Sequence, residues 1–261
     1  MLTLKNSFIR KLKLLSSHAL IPHPQKKNFG GEDYFFISPD QKTIGVADGV
    51  GGWSDQPGAN SAKYSHDLMN FCKNNSNLSD PLSILEKSYN QLDFSIKGST
   101  TALVAKLKDK ILHICNVGDS ALSIYRDGKL IFLTEDSVHG FNFPKQLGYT
   151  KTDQPKDGTY DQIPVQKGDL LIAGTDGVWD NVWNEDIEKI IQKVMNLKDK
   201  NVSEKIKEIA EEIAKTANEN GKNTEYYSPF AQSASNLGYI YNGGKLDDVT
   251  VVSSLVIDDN D

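Results

Sequence analysis

Acidic residues stand at the ends of four apolar, strand-like segments that are far apart in the sequence. These segments are Gly30–Ile37 (GGEDYFFI), Gly45–Trp53 (GVADGVGGW), Gly168–Asp180 (GDLLIAGTDGVWD) and Gly244–Val252 (GKLDDVTVV). A single Asp-Gly pair is more often a plain turn, so the repetition carries the prediction. If these strands are neighbours, their carboxylates meet in one pocket and repel one another unless cations neutralise them. Oxygen ligands of this kind favour Mg²⁺, Mn²⁺ or Ca²⁺ over zinc or copper.

The composition limits the classes of protein that remain. The 261 residues suit one large domain or two small ones, and a hydrophobic content of 38% is enough for a sizeable core. The net charge of −6 argues against a nucleic-acid partner. The two cysteines, Cys72 and Cys115, cannot form a disulfide framework and are predicted to be small buried hydrophobes. No apolar run is long enough to span a bilayer.

The N-terminal residues differ from the rest of the chain in charge. Lys5, Arg10, Lys11 and Lys13 are not accompanied by any acidic residue in this stretch. A basic, serine-bearing segment without acids is typical of an organelle transit peptide, most simply a mitochondrial one. We therefore predict a leader over residues 1–13 and a single domain over residues 14–261, with an organellar location. The alternatives are that residues 1–13 form an ordinary strand or helix of the domain, and that the protein is cytoplasmic.

Residue periodicity predicts several strands and two pairs of helices. Strands are predicted at 34–38, 43–47, 100–107, 110–117, 121–125, 129–133, 169–174 and 249–257, and helices at 59–73, from Asp80 to Gly98, at 186–197 and at 203–218. Long loops are predicted at 135–165 and 221–244. Adjacent hairpins with paired helices indicate an α+β fold with antiparallel sheets. Two sheets packed face to face, with the helices outside, fit this amount of apolar strand.

Six motifs, in order, resemble those of one enzyme family. They are GGED-x-FF, ADGVGGW, GSTTALVA, NVGDS, GTDGVWDN and GKLDDVTVV. In this order and spacing they are similar to those of the PPM-type (type 2C) metal-dependent protein serine/threonine phosphatases, over roughly residues 14–257. The stretches LSSHALIPHPQKKNFGGED and YYSPFAQSASN resemble a narrower branch found in mitochondria and plastids. The resemblance implies a β-sandwich of two antiparallel sheets flanked by paired α-helices.

The resemblance also implies a site for two ions, Mg²⁺ or Mn²⁺. Asp48 matches the carboxylate that bridges both ions, and Gly49 matches a backbone carbonyl ligand. Asp176 and Asp247 match the other direct ligands. The pair Glu32 and Asp33 matches the acidic residues that hold metal-bound waters. Asp119 matches a position that we interpret as structural: its side chain would form an Asx turn and satisfy backbone hydrogen-bonding groups at the end of a strand.

Three positions depart from the family pattern. Val50 stands where many members have a His that is a candidate proton donor to the leaving group, and no other donor is assigned. Asp248 stands where many members have Asn; it either adds charge to the site or caps the final strand, and we favour the second. The family's phosphate-binding Arg has no counterpart, and Lys26 is the candidate for that contact, although Lys26 and Lys27 can equally be a solvated pair.

Histidines and tryptophans near the motifs are weaker candidates. His66 and His139 cannot be placed from the sequence and are predicted to be non-catalytic. The three tryptophans Trp53, Trp179 and Trp183 flank metal motifs and can wall a cleft, but core packing is favoured for the last two.

The implied reaction is hydrolysis of phosphoserine and phosphothreonine in a phosphoprotein substrate by a water that two cations activate. No protein nucleophile is needed, and the position of Cys115 within a strand argues against that residue. Two alternatives remain open: a pseudophosphatase that binds phosphoproteins as an adaptor, and a phosphatase of small metabolites on the same fold. The chain is predicted to be a monomer.

Overall fold

A computed structural model describes residues 11–259. The strands are β1 Leu12–Ile21, β2 Asp33–Ile37, β3 Thr43–Asp48, β4 Ser99–Thr100, β5 Ala102–Lys108, β6 Ile111–Val117, β7 Ala121–Arg126, β8 Lys129–Leu133, β9 Val138–Gly140, β10 Phe143–Pro144, β11 Leu147–Gly148, β12 Thr159–Pro164, β13 Leu170–Gly174 and β14 Val249–Asp258. The helices are α1 Ser61–Asn74, α2 Pro81–Tyr89, α3 Asp176–Trp179, α4 Asn184–Met195, α5 Val202–Lys222 and α6 Pro229–Asn236. No helix among the described residues is both long and apolar enough to cross a membrane.

Two five-stranded antiparallel sheets form the centre of the molecule. The first has the order β1-β14-β13-β7-β8 and the second has the order β12-β6-β5-β3-β2. Their facing sides are apolar because alternate strand residues point inward. The inner core takes residues from both sheets, including Leu14, Ile124 and Val252 from the first and Ile44 and Leu103 from the second.

Helices cover the outer face of each sheet. The second sheet packs against α1 and α2 through a core that includes Leu68 and Leu85. The first sheet packs against α4 and α5 through a core that includes Ile191 and Ile209. This four-layer arrangement confirms the predicted α+β sandwich with paired helices outside.

The first strand corrects the boundary proposed for the leader. Strand β1 begins at Leu12 and pairs with β14 from Leu12 opposite Asp258 to Ile21 opposite Val249. Because Leu12 is buried in the inner core, residues 12 and 13 belong to the folded domain and not to a leader. Residues 1–10 lie outside the described residues, so the prediction of a leader over them stays a prediction.

Helix α2 is shorter than the sequence predicts. Helix α2 starts after its predicted cap Asp80, which accepts from the N–H of Ser83 at 2.9 Å, but it ends at Tyr89 and not at Gly98. Asp93 then accepts from the N–H and the hydroxyl of Ser95 at 3.0 and 2.6 Å, a local turn that competes with the helix.

Both predicted long loops contain regular secondary structure. Strand β12 pairs with β6 at the edge of the second sheet, and half of its side chains face solvent, so its apolar alternation is weak. Helix α6 carries Pro229 in its first turn, and its cap Ser228 accepts from the N–H of Ala231 at 3.1 Å. The pair Ser228-Pro229 is a typical helix start, a signal that the loop prediction did not take into account.

Candidate active site

The predicted acidic turns meet at one end of the sandwich. Asp48 is the last residue of β3, and Asp33 lies opposite it in the β2–β3 ladder. Asp176 follows β13 and begins α3, and Asp247 lies two residues before the start of β14. A cleft of about 520 Å³ opens here. Its lining residues include Lys26, Asp48, Gly49, Val50, Trp53, Asp119, Asn142, Phe143, Asp176, Lys245 and Asp247.

Two glycines allow the acidic turns to approach one another. A Cβ added at Gly49 would lie 2.7 Å from the Glu32 carbonyl oxygen and 2.9 Å from the carbonyl carbon of Ser61. A Cβ at Gly177 would overlap the carbonyl oxygen of Asp248. The Asp-Gly sequence at both strand ends is therefore required by backbone contact, which is one of the uses of glycine in a strand-end turn.

Burial and mutual repulsion control the charges of the carboxylates. The pKa of Asp48 is raised well above its usual range by burial and by the neighbouring charges of Asp176 and Asp33. The pKa of Asp33 is likewise raised well above its usual range, by burial and by Asp248, against an opposing hydrogen bond from Thr175. Acids this close cannot all ionise without a compensating positive charge.

Asp176 is the exception within this group. Burial raises its pKa, but the Lys245 ammonium, by its charge and its hydrogen bond, outweighs burial, so the pKa of Asp176 is lowered. Lys245 Nζ lies 2.5 Å from Asp176 Oδ2 and 2.6 Å from Asp180 Oδ2. A lysine of the chain thus already neutralises part of the acidic cleft.

Sequence reasoning missed two residues that line the cleft, Asp119 and Lys245, and also Asp180, which contacts Lys245 beside the cleft. Asp119, interpreted from the sequence as a strand-end turn, lines the cleft, and burial together with Asp176 raises its pKa to about 8 against the opposing charge of Lys245. The pKa of Asp180 is raised to about 7, mainly by burial. The signals were present, because Asp180 lies four residues after Asp176 and Lys245 lies two before Asp247, but neither spacing alone indicates convergence.

Asp248 connects the final strand to the N-terminal loop and does not simply cap its own strand. Its Oδ1 accepts from the N–H of His23 at 2.7 Å, and its Oδ2 accepts from the N–H of Glu32 at 3.0 Å. Lys26 Nζ donates to the same Oδ2 at 2.9 Å. Asp248 is 1% exposed, so this carboxylate fixes the loop that carries Lys26 and Glu32.

Lys26 lies at the cleft among carboxylates. Besides Asp248, its Nζ contacts Glu32 Oε2 at 2.7 Å and Asp247 Oδ1 at 3.6 Å. Lys27 is exposed. The two lysines are therefore not an equivalent solvated pair, and only Lys26 is placed at the candidate phosphate position.

Of the remaining tryptophan and histidine candidates, only Trp53 lines the cleft among the described residues. Trp53 lines the cleft and donates its Nε1–H to Ser99 Oγ at 2.7 Å. Trp179 packs against the helix-side core, and Trp183 is half-buried at the start of α4. His66 and His139 are exposed and lie outside the lining of the cleft.

Neither cysteine has the properties of a nucleophile. Both thiols are buried, and burial raises the pKa of Cys72 and of Cys115 to about 12. A thiol with such a pKa is almost entirely protonated at neutral pH, in agreement with the prediction that they are buried hydrophobes.

The acidic cleft fits divalent cations in its donor chemistry. Asp33 Oδ1 and Asp176 Oδ1 are buried side-chain oxygens without a hydrogen-bond partner. Within residues 11–259, no group of three or more His, Cys, Asp or Glu side chains forms a ready-made metal cage; Lys26 and Lys245 instead stand among the carboxylates. Unpaired buried oxygens and excess negative charge are what a hard cation would satisfy.

Comparison with known proteins identifies the family. No protein-family model matches the chain. The chain is 40% identical over 257 residues to the probable protein phosphatase 2C 80 of Arabidopsis thaliana, covering 95% of this chain and 60% of that protein. It is 34% identical over 258 residues to the probable protein phosphatase 2C 26 of the same plant, covering 91% of this chain and 82% of that protein. The chain belongs to the protein phosphatase 2C family.

Solved structures show the same fold as this protein phosphatase 2C chain. The X-ray structure of the photosystem II phosphatase PBCP has a TM-score of 0.84 and 29% identity, covering 94% of this chain and 99% of that one. The catalytic domain of the serine/threonine phosphatase PstP, in complex with two manganese ions, has a TM-score of 0.67 and 17% identity, covering 95% of this chain and all of that one. The chain spans 42% to 60% of the length of the first three curated relatives.

Proposed function

We propose that the protein is a metal-dependent phosphatase that hydrolyses phosphoserine and phosphothreonine in phosphoproteins. The observation that carries the proposal is the convergence of Asp48, Asp176 and Asp247 on one cleft in a chain of the protein phosphatase 2C family. All of the carboxylates that the family resemblance requires are present, which favours an enzyme over an adaptor that has lost catalysis.

The cleft would hold two ions, Mg²⁺ or Mn²⁺. Asp48, Asp176, Asp247 and the Gly49 carbonyl would hold them, and Glu32 and Asp33 would supply further oxygens beside these ligands. When bound, two such cations lower the pKa of a water and neutralise charge on a phosphate ester. The likeness to a fold that binds two manganese ions in PstP supports this number of ions.

Lys26 would hold the substrate phosphate. It lines the cleft, and its side chain is 23% exposed, so its ammonium is within reach of a ligand. Glu32 and Asp248 fix its position from the inner side. A lysine holds phosphate as a point charge and does not form the bidentate fork of an arginine.

Chelation tests the requirement for cations. We expect that dialysis against EDTA abolishes hydrolysis of a chromogenic phosphate ester and that added Mn²⁺ or Mg²⁺ restores it, because no cysteine or histidine among the described residues lines the cleft as an alternative nucleophile. The measurement is initial rate against metal concentration. Hydrolysis that persists at full rate in EDTA would contradict the two-cation mechanism, and no hydrolysis at any metal concentration would favour the adaptor.

The substrate class needs a separate comparison. A panel of phosphoserine and phosphothreonine peptides is assayed beside small phosphorylated metabolites at equal concentration with Mn²⁺. We expect kcat/KM to be higher for the peptides. Higher values for a metabolite would assign the same site to a small-molecule phosphatase.

We propose an organellar location, in mitochondria, on the basis of the basic, acid-free N-terminus and the resemblance to the narrower branch. The structurally similar PBCP is a photosystem II phosphatase, so a plastid is the alternative organelle. Residues 1–25 fused to a fluorescent reporter are expected to direct it to mitochondria. A reporter that stays in the cytosol would contradict the leader.

A further inference from the structure

Lys245 places a positive charge inside the acidic cleft. Its Nζ bridges Asp176 Oδ2 at 2.5 Å and Asp180 Oδ2 at 2.6 Å. The side chain of Lys245 is only 16% exposed, and those of Asp176 and Asp180 are 12% and 22% exposed. The ammonium is therefore enclosed with its partners and is not a solvated surface charge.

The backbone around Lys245 is fixed to the helical layer. The N–H of Lys245 donates to Asn181 Oδ1 at 2.9 Å, and its carbonyl accepts from Asn181 Nδ2 at 2.7 Å. A Cβ at the preceding Gly244 would overlap the carbonyl oxygen of Asn220, so this segment lies directly against α5. Movement of the ammonium must come from the side chain alone.

Asp176 has one oxygen engaged and one free. Its Oδ2 contacts Lys245, whereas its Oδ1 is buried without a hydrogen-bond partner. A cation that binds Asp176 must therefore share this carboxylate with the ammonium. Two positive charges on one buried carboxylate repel each other strongly, because the interior screens charge poorly.

We propose, on the basis of the cation site proposed above, that Lys245 is a tethered counter-ion that holds Asp176 and Asp180 together in the metal-free protein and competes with divalent cations for Asp176. Lys245 thereby lowers the affinity of the site for metal. Lys26 differs, because its nearest partners are Glu32 and Asp248 and not one of the proposed direct ligands.

The test is Mn²⁺ binding to the metal-free Lys245→Met protein, measured by calorimetry on the full chain. Methionine keeps an unbranched apolar side chain, one atom shorter than lysine, and removes the charge. We expect Kd for Mn²⁺ to fall by about tenfold or more, since a competing charge is removed, and the Tm of the metal-free protein to fall. Lys245→Arg, which retains the charge, is expected to bind Mn²⁺ like the wild type.

Lys129→Met is the matched control, because Lys129 also pairs with a carboxylate, Glu188 at 2.7 Å, but is 70% exposed and lies outside the cleft lining. Its Kd for Mn²⁺ is expected to be unchanged. Equal or weaker Mn²⁺ binding by Lys245→Met would overturn the counter-ion role. If the wild type itself binds no Mn²⁺, the proposed cation site fails instead.

A measurement on the wild type covers the case in which Lys245→Met does not fold. Lysines are labelled by reductive methylation with and without saturating Mn²⁺, and the modification of Lys245 is quantified by mass spectrometry against exposed Lys129. We expect labelling of Lys245 to rise several-fold with Mn²⁺, because the cation displaces the ammonium from Asp176. Unchanged or reduced labelling would overturn the proposal.

Discussion

Replacing Asp48 with Asn is expected to reduce kcat/KM by on the order of 10³-fold or more, since outer-sphere partners of a metal already contribute about 10- to 100-fold. Asp48 ends β3, lies opposite Asp33 in the β2–β3 ladder and is adjacent to the carboxylate of Asp176. A neutral amide at this position removes the charge that would attract both cations. The measurement is steady-state hydrolysis of a phosphopeptide at several Mn²⁺ concentrations.

The fold should survive this change. The pKa of Asp48 is raised by burial and by neighbouring acids, so the site favours the neutral form of this side chain in the metal-free protein, and the neutral amide of Asn resembles that form. We expect Tm without metal to be unchanged or higher. Asp67→Asn, on the exposed side of α1 where Asp67 pairs with Lys63 at 2.6 Å, is the control and should retain full activity. Activity of Asp48→Asn within tenfold of the wild type would contradict its role as a cation ligand.

Replacing Asp248 with Ala is expected to lower the free energy of unfolding by about 3–5 kcal/mol, the typical cost of breaking a buried ion pair. The change leaves the N–H groups of His23 and Glu32 and the ammonium of Lys26 without their shared acceptor. For a chain of this size, such a loss lowers Tm by on the order of 10 °C. The measurement is urea unfolding of the metal-free protein.

Asp248→Asn separates the hydrogen bonds from the charge. The amide keeps one oxygen acceptor, so its loss of stability should lie between the wild type and Asp248→Ala. Asp67→Ala removes an exposed ion pair and is expected to change stability by less than about 0.5–1 kcal/mol. If Asp248→Ala is as stable as Asp67→Ala, the carboxylate does not fix the N-terminal loop as its contacts indicate.

Local chemistry explains which parts of the fold the sequence predicts. The strands predicted at 121–125 and 129–133, which Asp127-Gly128 joins, and the helix start predicted at Asp80 depend on neighbours in the chain, and both occur in the structure. Strand β12 is polar and pairs only through its partner β6, so local periodicity does not reveal it. Helix α2 ends at Tyr89, and the turn in which Asp93 accepts two hydrogen bonds from Ser95 keeps the helix from resuming toward Gly98.

Within the site, too, the features set by local sequence were predictable and those set by distant contacts were not. The repeated strand-end acids predicted the positions of Asp48, Asp176 and Asp247 around one cleft. Lys245 and Asp119 belong to this cleft only because distant elements meet there, and no spacing along the chain indicates such a meeting. The role of Asp248 depends on three donors more than 200 residues away in sequence.

The position of β14 also makes the acidic cleft depend on two distant parts of the chain. Strand β14 lies between β1 and β13 in the first sheet, although it is the last strand among the described residues 11–259. Until residue 258 leaves the ribosome, β1 has no partner across the ten residue pairs it makes with β14, and Asp247, two residues before β14, has no fixed place at the cleft. A nascent chain that lacks β14 therefore carries no assembled acidic cleft.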